Sequence, residues 1–549
     1  MNYSGHVSFA SSGGPSAVWS ELSGSTAIAA GQSSAPGLSP NSVFSPFSFI
    51  GLPISPWVRL DDHGRTLISG LYDTRGTGAS VYSAAGFWSY DGDKRELIAA
   101  EYAQAPVGYP GLYFNNFGPL QFSSQLPSLT PSAFGGSYWT VNAQLRQIGS
   151  NSSFDIPSYW LMGPEGARLL YMPATTVPAY ATLDTASNRL GEAAYETFDA
   201  PNSPTLVREH AGLTQTIVGP STLLPGFSST LEGGEVSSLK LNDAGSLAFA
   251  ARKYHPQQSV VEGVFVADAA GTIRTALIDG MPVPGVPGST FSSLGSQGTT
   301  LSILAQEEHD ELVINAREVV TATPSTSRRS LWLERNGSLQ SLATEGLTLP
   351  GLDAAEIIKG QGSVPIFSQA QVNGQGLVVF GAGILSTTRA GTGVWALLPG
   401  ASEVTPIALP GQTITLSDGS VETLGSIALG DVNDRGQIIL KSRRNDVDVL
   451  FVVNSLATLS DFDGDGNVDG DDLAILKAGF GGEIPTLATG DGNGDGVIDG
   501  ADFLRWQREA TITAPPAATA GVPEPPSLTL LAVAALVGHC SRYRRRAGG

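Results

Sequence analysis

The sequence predicts an all-β fold: a β-propeller-like array of about seven or eight four-stranded units, followed by a small α domain and a C-terminal hydrophobic segment. Three observations support this prediction. The 549 residues include 67 Gly and 35 Pro but only 15% charged residues, a composition typical of many short strands and turns. A turn motif recurs along the first 440 residues, and two acidic loops of the same spacing lie between residues 461 and 502.

The repeated motif is Asn, Gly three residues later, and an apolar or aromatic residue seven places after the Asn. The clear copies are Asn2/Gly5/Phe9, Asn115/Gly118/Phe122, Asn188/Gly191/Tyr195, Asn242/Gly245/Phe249 and Asn373/Gly376/Phe380. The variants are Asp61/Gly64/Ile68 and Asn433/Gly436/Leu440, and a degenerate copy is Glu307/Asp310/Ile314. Because the eight starts are separated by 54 to 73 residues, the motif indicates an array of one supersecondary unit.

Each motif is predicted to form a tight turn that leads into a strand. The Asn or Asp side chain can bond to the backbone two residues on, and Gly supplies the positive φ of the turn. A further strand of each unit is marked by an aromatic residue, in Val18-Trp19, Phe87-Trp88, Tyr159-Trp160, Val264-Phe265, Leu331-Trp332, Val394-Trp395 and Leu450-Phe451. Six units then contain a Pro-Gly turn, at Pro36-Gly37, Pro110-Gly111, Pro225-Gly226, Pro287-Gly288, Pro350-Gly351 and Pro410-Gly411.

These signals leave room for about four short strands in each unit, which fits a propeller blade better than a solenoid coil. The repeated Asn, Gly and Trp residues are interpreted as turn and core residues. Because a closed ring usually seals by pairing strands from both chain ends, residues 1–9 and 433–453 are expected to share a blade.

Two twelve-residue loops, 461–472 and 491–502, have the spacing of calcium loops. In such loops, positions 1, 3, 5, 9 and 12 supply oxygen ligands, position 7 supplies its carbonyl, and position 6 is Gly. An unstructured acidic linker would explain neither Gly466 and Gly496 at position 6 nor the apolar Val468 and Ile498 at position 8. We therefore predict two calcium ions. The predicted ligands are Asp461, Asp463, Asp465, the Asn467 carbonyl, Asp469 and Asp472 in the first loop, and Asp491, Asn493, Asp495, the Val497 carbonyl, Asp499 and Asp502 in the second.

Each loop is followed by a short stretch with helical apolar spacing, 473–476 and 503–506, so the segment is predicted to be a pair of half EF-hands. Over about fifty residues it resembles a type I dockerin. The resemblance implies a small calcium-folded module that docks on a cohesin-type partner, often in polysaccharide-degrading assemblies.

The C-terminus contains Val522-Pro523-Glu524-Pro525, an apolar run over 528–537 and an arginine cluster around 542–546. The run is about half of the roughly 20 residues that a mature membrane span needs. The segment resembles a PEP-CTERM sorting signal, which implies cleavage by an exosortase-type enzyme after transient membrane insertion. The arginines would remain cytoplasmic. No signal peptide is visible at Met1, so we expect the true start of an exported protein to lie upstream.

The repeat region resembles the tandem Asn-x-x-Gly-x-Ala-Phe, choice-of-anchor proteins of bacterial surfaces, a resemblance that implies a propeller-like architecture and no particular activity. The predicted organisation is a repeat domain over 1–455, a dockerin-like domain over 456–510, a flexible linker over 511–521 and a sorting signal over 522–549. The formal charge of −20 disfavours a nucleic-acid partner. Cys540 is the single cysteine, so no intramolecular disulfide can form.

The sequence contains none of the common nucleotide, zinc-protease or serine-hydrolase motifs, and no catalytic residues are predicted. The densest charged segment, 307–311, is interpreted as a solvated loop rather than a glycosidase acid pair. The aromatic segments 109–114 and 138–139 are interpreted as core rather than as sugar platforms.

The predicted function is a surface-displayed or matrix-associated structural and interaction protein with a calcium-dependent docking module. Its location would be the cell envelope, cell surface or extracellular matrix. The alternative is a polysaccharide-binding or polysaccharide-degrading component delivered to a complex by its dockerin. A cluster of carboxylates and aromatics from different blades at one channel mouth would favour this alternative. A third possibility, a calcium-buffering module on an inert stalk, makes no use of an array this large.

Overall fold

A computed structural model confirms an all-β fold with little helix. It describes residues 8–510 except 12–16, 21–25, 31–34, 36–37, 39–41, 45–47, 50–51, 54–56, 61–64, 75–82, 92–93, 101–111, 118–137, 148–155, 164, 173–183, 201–202, 232–233, 256–257, 293–301, 307–310, 321–326, 361–364, 387–389, 416–420, 434–435, 445–446, 454–459, 461, 464–467, 483–488, 491 and 493–496. The chain divides into two compact units, Met1–Glu509 and Ala510–Gly549, and residues 511–549 of the second unit lie outside the described part.

Antiparallel sheets follow one another along the chain. Sheet 1 contains β1 (Ser8–Ser11), β2 (Ala17–Ser20) and β3 (Thr26–Ala30). After sheet 1 come β4 (Ser42–Phe44), β5 (Ser48–Phe49), β6 (Leu52–Pro53), β7 (Trp57–Leu60), β8 (Thr66–Thr74), β9 (Ser83–Tyr90) and β10 (Arg95–Ala100); β5 pairs with β6, and the other five form sheet 2. Sheet 3 contains β11 (Leu112–Phe117), β12 (Trp139–Gln147), β13 (Ile156–Gly163) and β14 (Gly166–Tyr171), and sheet 4 contains β15 (Thr185–Ser187), β16 (Ala193–Ala200), β17 (Ser203–His210) and β18 (Leu213–Val218).

The second half continues the pattern. Sheet 5 contains β19 (Glu235–Leu241), β20 (Leu247–His255), β21 (Gln258–Ala267) and β22 (Ile273–Ile278), and sheet 6 contains β23 (Ser289–Phe291), β24 (Ser302–Gln306), β25 (Leu312–Val320), β26 (Ser327–Arg335) and β27 (Ser338–Thr344). Sheet 7 contains β28 (Ile357–Ile358), β29 (Phe367–Val372), β30 (Val378–Leu385), β31 (Ala390–Leu397) and β32 (Thr405–Ala408). A hairpin of β33 (Thr413–Thr415) and β34 (Val421–Thr423) precedes sheet 8, which contains β35 (Ile427–Val432), β36 (Ile438–Arg444) and β37 (Val447–Val453). Two helices follow, α1 (Gly470–Gly479) and α2 (Gly500–Glu509).

The sheets are arranged as the blades of a β-propeller. In sheets 4 to 8 the strand that leads into the motif turn, namely β15, β19, β24, β29 and β35, lies against the corresponding strand of the next sheet. Such edge-to-edge succession of inner strands is the radial repetition of a propeller. In the described part of the chain, sheets 2 to 8 give seven blades, and sheets 2 and 4 to 8 contain this inner strand. In sheet 3 the predicted turn at Asn115 is wrong, because Asn115 lies within strand β11, which pairs with β12. Sheet 1 begins with the strand after the motif.

The two ends of the array differ from the expectation of a shared blade. In the described residues, β1 pairs with β2 and lies against β7 of sheet 2. Residues of β35 to β37 form a sheet of their own, and β35 lies against sheet 7. Each terminal sheet is therefore bound to its neighbour in sequence, and no described strand pairing joins the first sheet to the last.

The core lies between consecutive sheets rather than in one central cluster. Sheets 6 and 7, for example, bury Leu331, Phe380 and Trp395 in one apolar cluster. The predicted aromatic markers are core residues: Trp88, Trp160, Phe265 and Trp395 are fully buried. Because an inner sheet of the array packs on two neighbours, its removal would expose two apolar surfaces.

Pro-Gly turns are confirmed at the four sites that the structure describes. In the turn at Pro350, the N–H of Leu352 donates to the carbonyl of Leu349 at 3.2 Å, and Gly351 has φ +83°. Pro at the second place and Gly with positive φ at the third define a type II turn. The same pairing closes the turns at Pro225, Pro287 and Pro410.

Candidate functional site

The motif Asn forms its turn with its side-chain oxygen and its backbone carbonyl. Asn373 is fully buried, and its Oδ1 accepts hydrogen bonds from the N–H groups of Gln375 at 3.1 Å and Leu377 at 2.9 Å. Gly376 has φ +74°, and its N–H donates to the Asn373 carbonyl at 2.9 Å. Asn188, Asn242 and Asn433 form turns with the same Gly-to-Asn backbone bond. The turn with a positive-φ Gly is therefore confirmed at these four copies. The predicted bond from the Asn side chain to the N–H two residues on is confirmed at Asn188 and Asn373.

The other end of the amide joins neighbouring sheets. The Nδ2 of Asn188 donates to the carbonyl of Asn242 at 3.0 Å, and the Nδ2 of Asn373 donates to the carbonyl of Asn433 at 3.0 Å. Each bond runs from one motif to the next motif in the chain. We call this set of bonds the turn ladder. The spacing of the repeats did not predict it, because spacing does not specify which turns meet.

Arginine side chains reinforce the turn ladder by donating to the carbonyl of a motif Gly. Arg168 bonds to Gly191 at 3.1 Å, Arg208 to Gly245 at 2.6 Å, and Arg335 to Gly376 at 2.9 Å. Arg208 is only 1% exposed and also donates to the carbonyls of Asp268 and Ala269 and to the Oε1 of Gln215. Burial lowers the pKa of Arg208. A planar group with five donors suits such a multiple contact.

A histidine and a glutamate lie beside the same turns. The Nδ1 of His210 is 2.8 Å from the Oε2 of Glu192, which also accepts from the Nδ2 of Asn188 at 2.8 Å. Burial alone would raise the pKa of Glu192, but hydrogen bonds from His210, the Ala211 N–H and Asn188 outweigh burial and lower it. A Cβ on Gly245 would lie 2.5 Å from the His210 ring, so the ring packs directly on the next motif turn.

A carboxylate cluster that sequence reasoning missed lies between sheets 4 and 5. Glu196 is 3% exposed, and its pKa is raised well above the ordinary value, first by burial and then by the nearby Asp184 and Glu235. Asp184 directly precedes β15 and Glu235 begins β19, so both lie at the end of the inner strands opposite to the motif turns. The N–H of Ser238 donates to the Oδ2 of Asp184 across the two sheets. No local sequence signal could have shown this convergence.

In the segment with the two acidic loops, the described residues include the helix predicted after each loop. A helix leaves each loop, α1 after the first and α2 after the second, and the position 8 residues Val468 and Ile498 are 2% and 1% exposed. Asp469 is the N-cap of α1 and forms a capping box with Asp472, which stabilises the first turn of the helix.

The position 12 carboxylates turn back into their own loops. The Oδ1 of Asp472 accepts from the N–H groups of Phe462 at 2.6 Å and Asp463 at 3.3 Å, and its Oδ2 accepts from the N–H of Asp469 at 2.7 Å. In the second loop the Oδ2 of Asp502 accepts from the N–H of Asp499 at 2.8 Å. Both aspartates are buried, and burial raises the pKa of Asp472. In the first loop, the backbone N–H groups of positions 2, 3 and 9 therefore all donate to the carboxylate of Asp472.

The two repeats contact each other through reciprocal residues. The Nε1 of Trp506 in α2 donates to the carbonyl of Asp469 in the first loop at 2.9 Å. Leu476 of α1 packs on Gly490, where a Cβ would lie 2.7 Å from the Leu476 Cα. The N–H of Gly481 also donates to the carbonyl of Ile498 at 3.0 Å. The loops and helices therefore form one packed pair.

The predicted calcium ligands are described in part. Asp463, Asp469, Asp472, Val497, Asp499 and Asp502 are described, whereas Asp461, Asp465, Asn467, Asp491, Asn493 and Asp495 lie outside the described residues. Within the described part, no group of three or more His, Cys, Asp or Glu side chains is arranged to hold a metal ion. The side-chain donors of both loops are all carboxylate or amide oxygens, which is the donor set that calcium prefers.

The other candidate segments lie partly within the described residues. Only Glu311 of the acidic segment 307–311 is described, and it pairs with Arg335. Phe114 is buried and Tyr113 is half-buried, in agreement with a core role for that aromatic segment. The sorting motif Val522, Pro523, Glu524 and Pro525 lies outside the described residues. Within the described part, the two helices are too short and polar to cross a membrane.

The inner strands with described side chains leave mainly small or neutral polar groups exposed. Ala428 and Gly430 are exposed on β35, as is Gln369 on β29. The Nε2 of Gln371 donates to the carbonyl of Gly430 at 3.0 Å, from one inner strand to the next. Glu235, at the start of β19, is also exposed and carries a carboxylate.

A family model described as "Family of unknown function (DUF7453)" matches residues 1–359 and 314–454. These matches cover more than half of the chain. The chain belongs to the DUF7453 family. The matched residues contain all the blades of the DUF7453 chain and end before the two acidic loops.

Solved structures of several differently named proteins are similar to the DUF7453 chain. The β-propeller domain of the Trilobed protease from Pyrococcus furiosus is 9% identical, with 72% of this chain and 92% of that chain covered and a TM-score of 0.35. Polysaccharide lyase Uly1 is 10% identical, with coverage of 77% and 94% and a TM-score of 0.33. Penicillium chrysogenum α-L-arabinanase complexed with arabinobiose is 14% identical, with coverage of 48% and 74% and a TM-score of 0.23. No curated protein matches the chain in sequence.

Proposed function

We propose that this DUF7453 chain is an exported structural and interaction protein that displays its propeller at the cell surface or in extracellular matrix. Its helical module docks on a cohesin-type or other envelope partner when two calcium ions are bound. The tail is processed by an exosortase-type enzyme after transient membrane insertion. The proposal for export depends on the Val522–Pro525 motif and on its resemblance to a sorting signal.

The observation that carries the calcium proposal is the burial of a carboxylate at position 12 of each loop. The described partners of Asp472 are three backbone N–H groups, with no cationic side chain among them. A buried carboxylate without an opposite charge is costly, and a divalent cation supplies that charge. Ions would be held by Asp461, Asp463, Asp465, Asn467, Asp469 and Asp472 in the first loop, and by Asp491, Asn493, Asp495, Val497, Asp499 and Asp502 in the second.

Calorimetric titration of the full chain with calcium tests this proposal. We expect two equivalents to bind to the wild-type chain and one equivalent to bind to Asp472→Asn or to Asp502→Asn, because each substitution removes a charged ligand from one loop. Asp353→Asn, at an exposed position in the loop before sheet 7, is the control and keeps two equivalents. Absence of heat up to millimolar calcium, together with an unchanged circular dichroism spectrum, would reject the calcium module.

A second candidate function is the binding or cleavage of polysaccharide. The observation that favours it is the cluster of Glu196, Asp184 and Glu235, which two neighbouring blades bring together at one end of their inner strands. A buried carboxyl group with a raised pKa can remain protonated and act as a general acid, while a nearby carboxylate acts as base or nucleophile. The test is reducing-sugar release from a panel of polysaccharides. Activity that disappears in Glu196→Gln supports this function, and absence of activity and of binding argues against it.

A further inference from the structure

The junction between sheet 3 and sheet 4 differs from the other described junctions among sheets 2 to 8 in what it buries. Buried apolar clusters join sheets 2 and 3, 4 and 5, 5 and 6, 6 and 7, and 7 and 8. No described cluster contains residues of both sheet 3 and sheet 4. We propose that the propeller opens at this junction before the others, with sheets 2 and 3 on one side and sheets 4 to 8 on the other staying packed.

Hydroxyl and ring contacts join sheets 3 and 4 in the place of an apolar cluster. The hydroxyl of Thr185 in β15 donates to the hydroxyl of Thr140 in β12 at 2.7 Å, and both residues are buried. Tyr195 of β16, which is paired with Thr185 in register, stacks on Tyr171 of β14 with ring centroids 6.3 Å apart. The centre of this junction therefore contains polar groups that water can also satisfy.

The chemistry of these contacts sets the cost of opening each junction. Separating apolar faces exposes their buried area to water without any compensating bond. Phe249 and Phe265, fully buried in the cluster between sheets 4 and 5, illustrate that cost. When Thr140 and Thr185 separate, water replaces the lost bond on both hydroxyls, so that only its small net contribution is lost. The junction of sheets 3 and 4 is therefore the least costly of those described to open.

The contacts at the margin of this junction do not compensate for its polar centre. Arg168 of β14 donates to the Oε2 of Glu209 at 2.6 Å and to the carbonyl of Gly191 at 3.1 Å, both in sheet 4. The Arg168 side chain is 50% exposed. Because solvent screens an exposed ion pair, such a pair adds little stability. Opening of the two sheets is therefore opposed mainly by the centre of the junction.

Two adjacent alanines of β16 report separately on the two junctions that sheet 4 makes. Ala194 belongs to the apolar cluster shared with sheet 5. Ala193 is paired with Ser187 and lies on the opposite face, together with Thr185 and Tyr195, because successive residues of a strand point to opposite faces. Both alanines are fully buried. A thiol at either position therefore reacts with a reagent in solution only when its own junction opens.

The test is thiol labelling of the full chain under native conditions. Cys540→Ser removes the single natural cysteine, and Ala193→Cys or Ala194→Cys is then added to this background. We expect Ellman's reagent to label Ala193→Cys about tenfold faster than Ala194→Cys or more, because local openings within one fold differ in free energy. The two variants make the same chemical change on the same strand, so the difference in rate measures the difference between the junctions.

A second pair on β15 keeps the test decisive if an alanine variant fails to fold, which circular dichroism checks. Ser187 donates its hydroxyl to the carbonyl of Tyr138 in the junction with sheet 3, whereas Ala186 belongs to the cluster with sheet 5. Ser187→Cys should therefore be labelled faster than Ala186→Cys. Equal rates within a folded pair would mean that only unfolding of the whole array exposes these faces. Faster labelling on the side of sheet 5 would assign the weaker junction to sheets 4 and 5, and either result would overturn the proposal.

Discussion

At the scale of single residues, the motif Asn combines two tasks that are usually given to different residues. Its Oδ1 forms the local turn, while its Nδ2 donates to the carbonyl of the next motif. Asp is able to perform the first task but not the second, because an ionised carboxylate has no donor. This difference favours Asn over Asp at Asn188 and Asn373, where the bond to the next motif is described.

Replacing Asn373 by Asp should therefore destabilise the fold by about 2 kcal/mol, since the turn is kept but a buried donor is lost and an anion faces the Asn433 carbonyl. The control is Asn433→Asp, whose Nδ2 donates within its own turn to the Oε1 of Gln437 and which should cost less than about 1 kcal/mol. Denaturant unfolding of both full-length variants measures the difference. Equal losses in the two variants would show that the turn ladder adds no stability.

Glu192 provides a residue-scale prediction about pH. Its folded-state pKa is lowered from the ordinary value of 4.5, so its contribution to stability is present above that value and is lost as the pH falls through the folded-state pKa. Glu192→Gln should be less stable than the wild type at pH 7, and the gap should close as the pH falls below about 4. Urea unfolding between pH 7 and pH 3 measures this gap.

Glu196, four residues away, is the matched control with the opposite sign. Its folded-state pKa is raised, so its contribution is present below the ordinary value of 4.5 and is lost as the pH rises. Glu196→Gln should therefore gain stability relative to the wild type as the pH rises above that value. If both variants change with pH in the same direction, the two carboxyl groups do not have the environments described here.

At the scale of elements, the Pro-Gly turns show how much of the fold local chemistry predicts. Pro sets φ at the second place and Gly accepts positive φ at the third, so these turns were predictable from two residues each. The pairing of sheets was not, because it depends on which buried faces meet. Trp395 illustrates this limit: its burial was predicted, but its bond from Nε1 to the Pro350 carbonyl at 3.0 Å joins residues 45 positions apart.

Two of these turns allow a matched test of crowding. Gly351 and Gly411 have φ of +83° and +77°, but a Cβ on Gly351 would lie 2.7 Å from Pro406 Cγ, whereas a Cβ on Gly411 would have no neighbour within 4 Å. Gly411→Ala should cost about 1 kcal/mol from the positive φ alone. Gly351→Ala should cost about 1 to 3 kcal/mol more, because overpacking is added. If the two variants unfold at the same urea concentration, the close approach of Gly351 to Pro406 is contradicted.

At the scale of the whole molecule, the sequence predicts the array but not the way in which stability is distributed along it. The motif spacing indicates blades, and the two acidic loops indicate a separate chemistry at the end of the array. The convergence of Asp184, Glu196 and Glu235 was invisible, since it requires two blades to meet. The turn ladder was invisible for the same reason. Each of these contacts joins one blade to the next, which makes stability a sum of nearest-neighbour terms.

Arg208 offers the test of this nearest-neighbour stability. Arg208→Met removes donors from the carbonyls of Gly245, Asp268 and Ala269 and should raise amide exchange rates in sheets 4 and 5, because unpaired buried carbonyls cost about 1 to 3 kcal/mol each. Exchange in β30 and β31 of sheet 7 should remain unchanged. Arg335→Met is the matched control. It removes the donor to the Gly376 carbonyl and should raise amide exchange rates in sheets 6 and 7 instead. Hydrogen exchange with mass spectrometry distinguishes the two patterns, and a uniform rise along the chain in both variants would mean that the array unfolds as one cooperative unit.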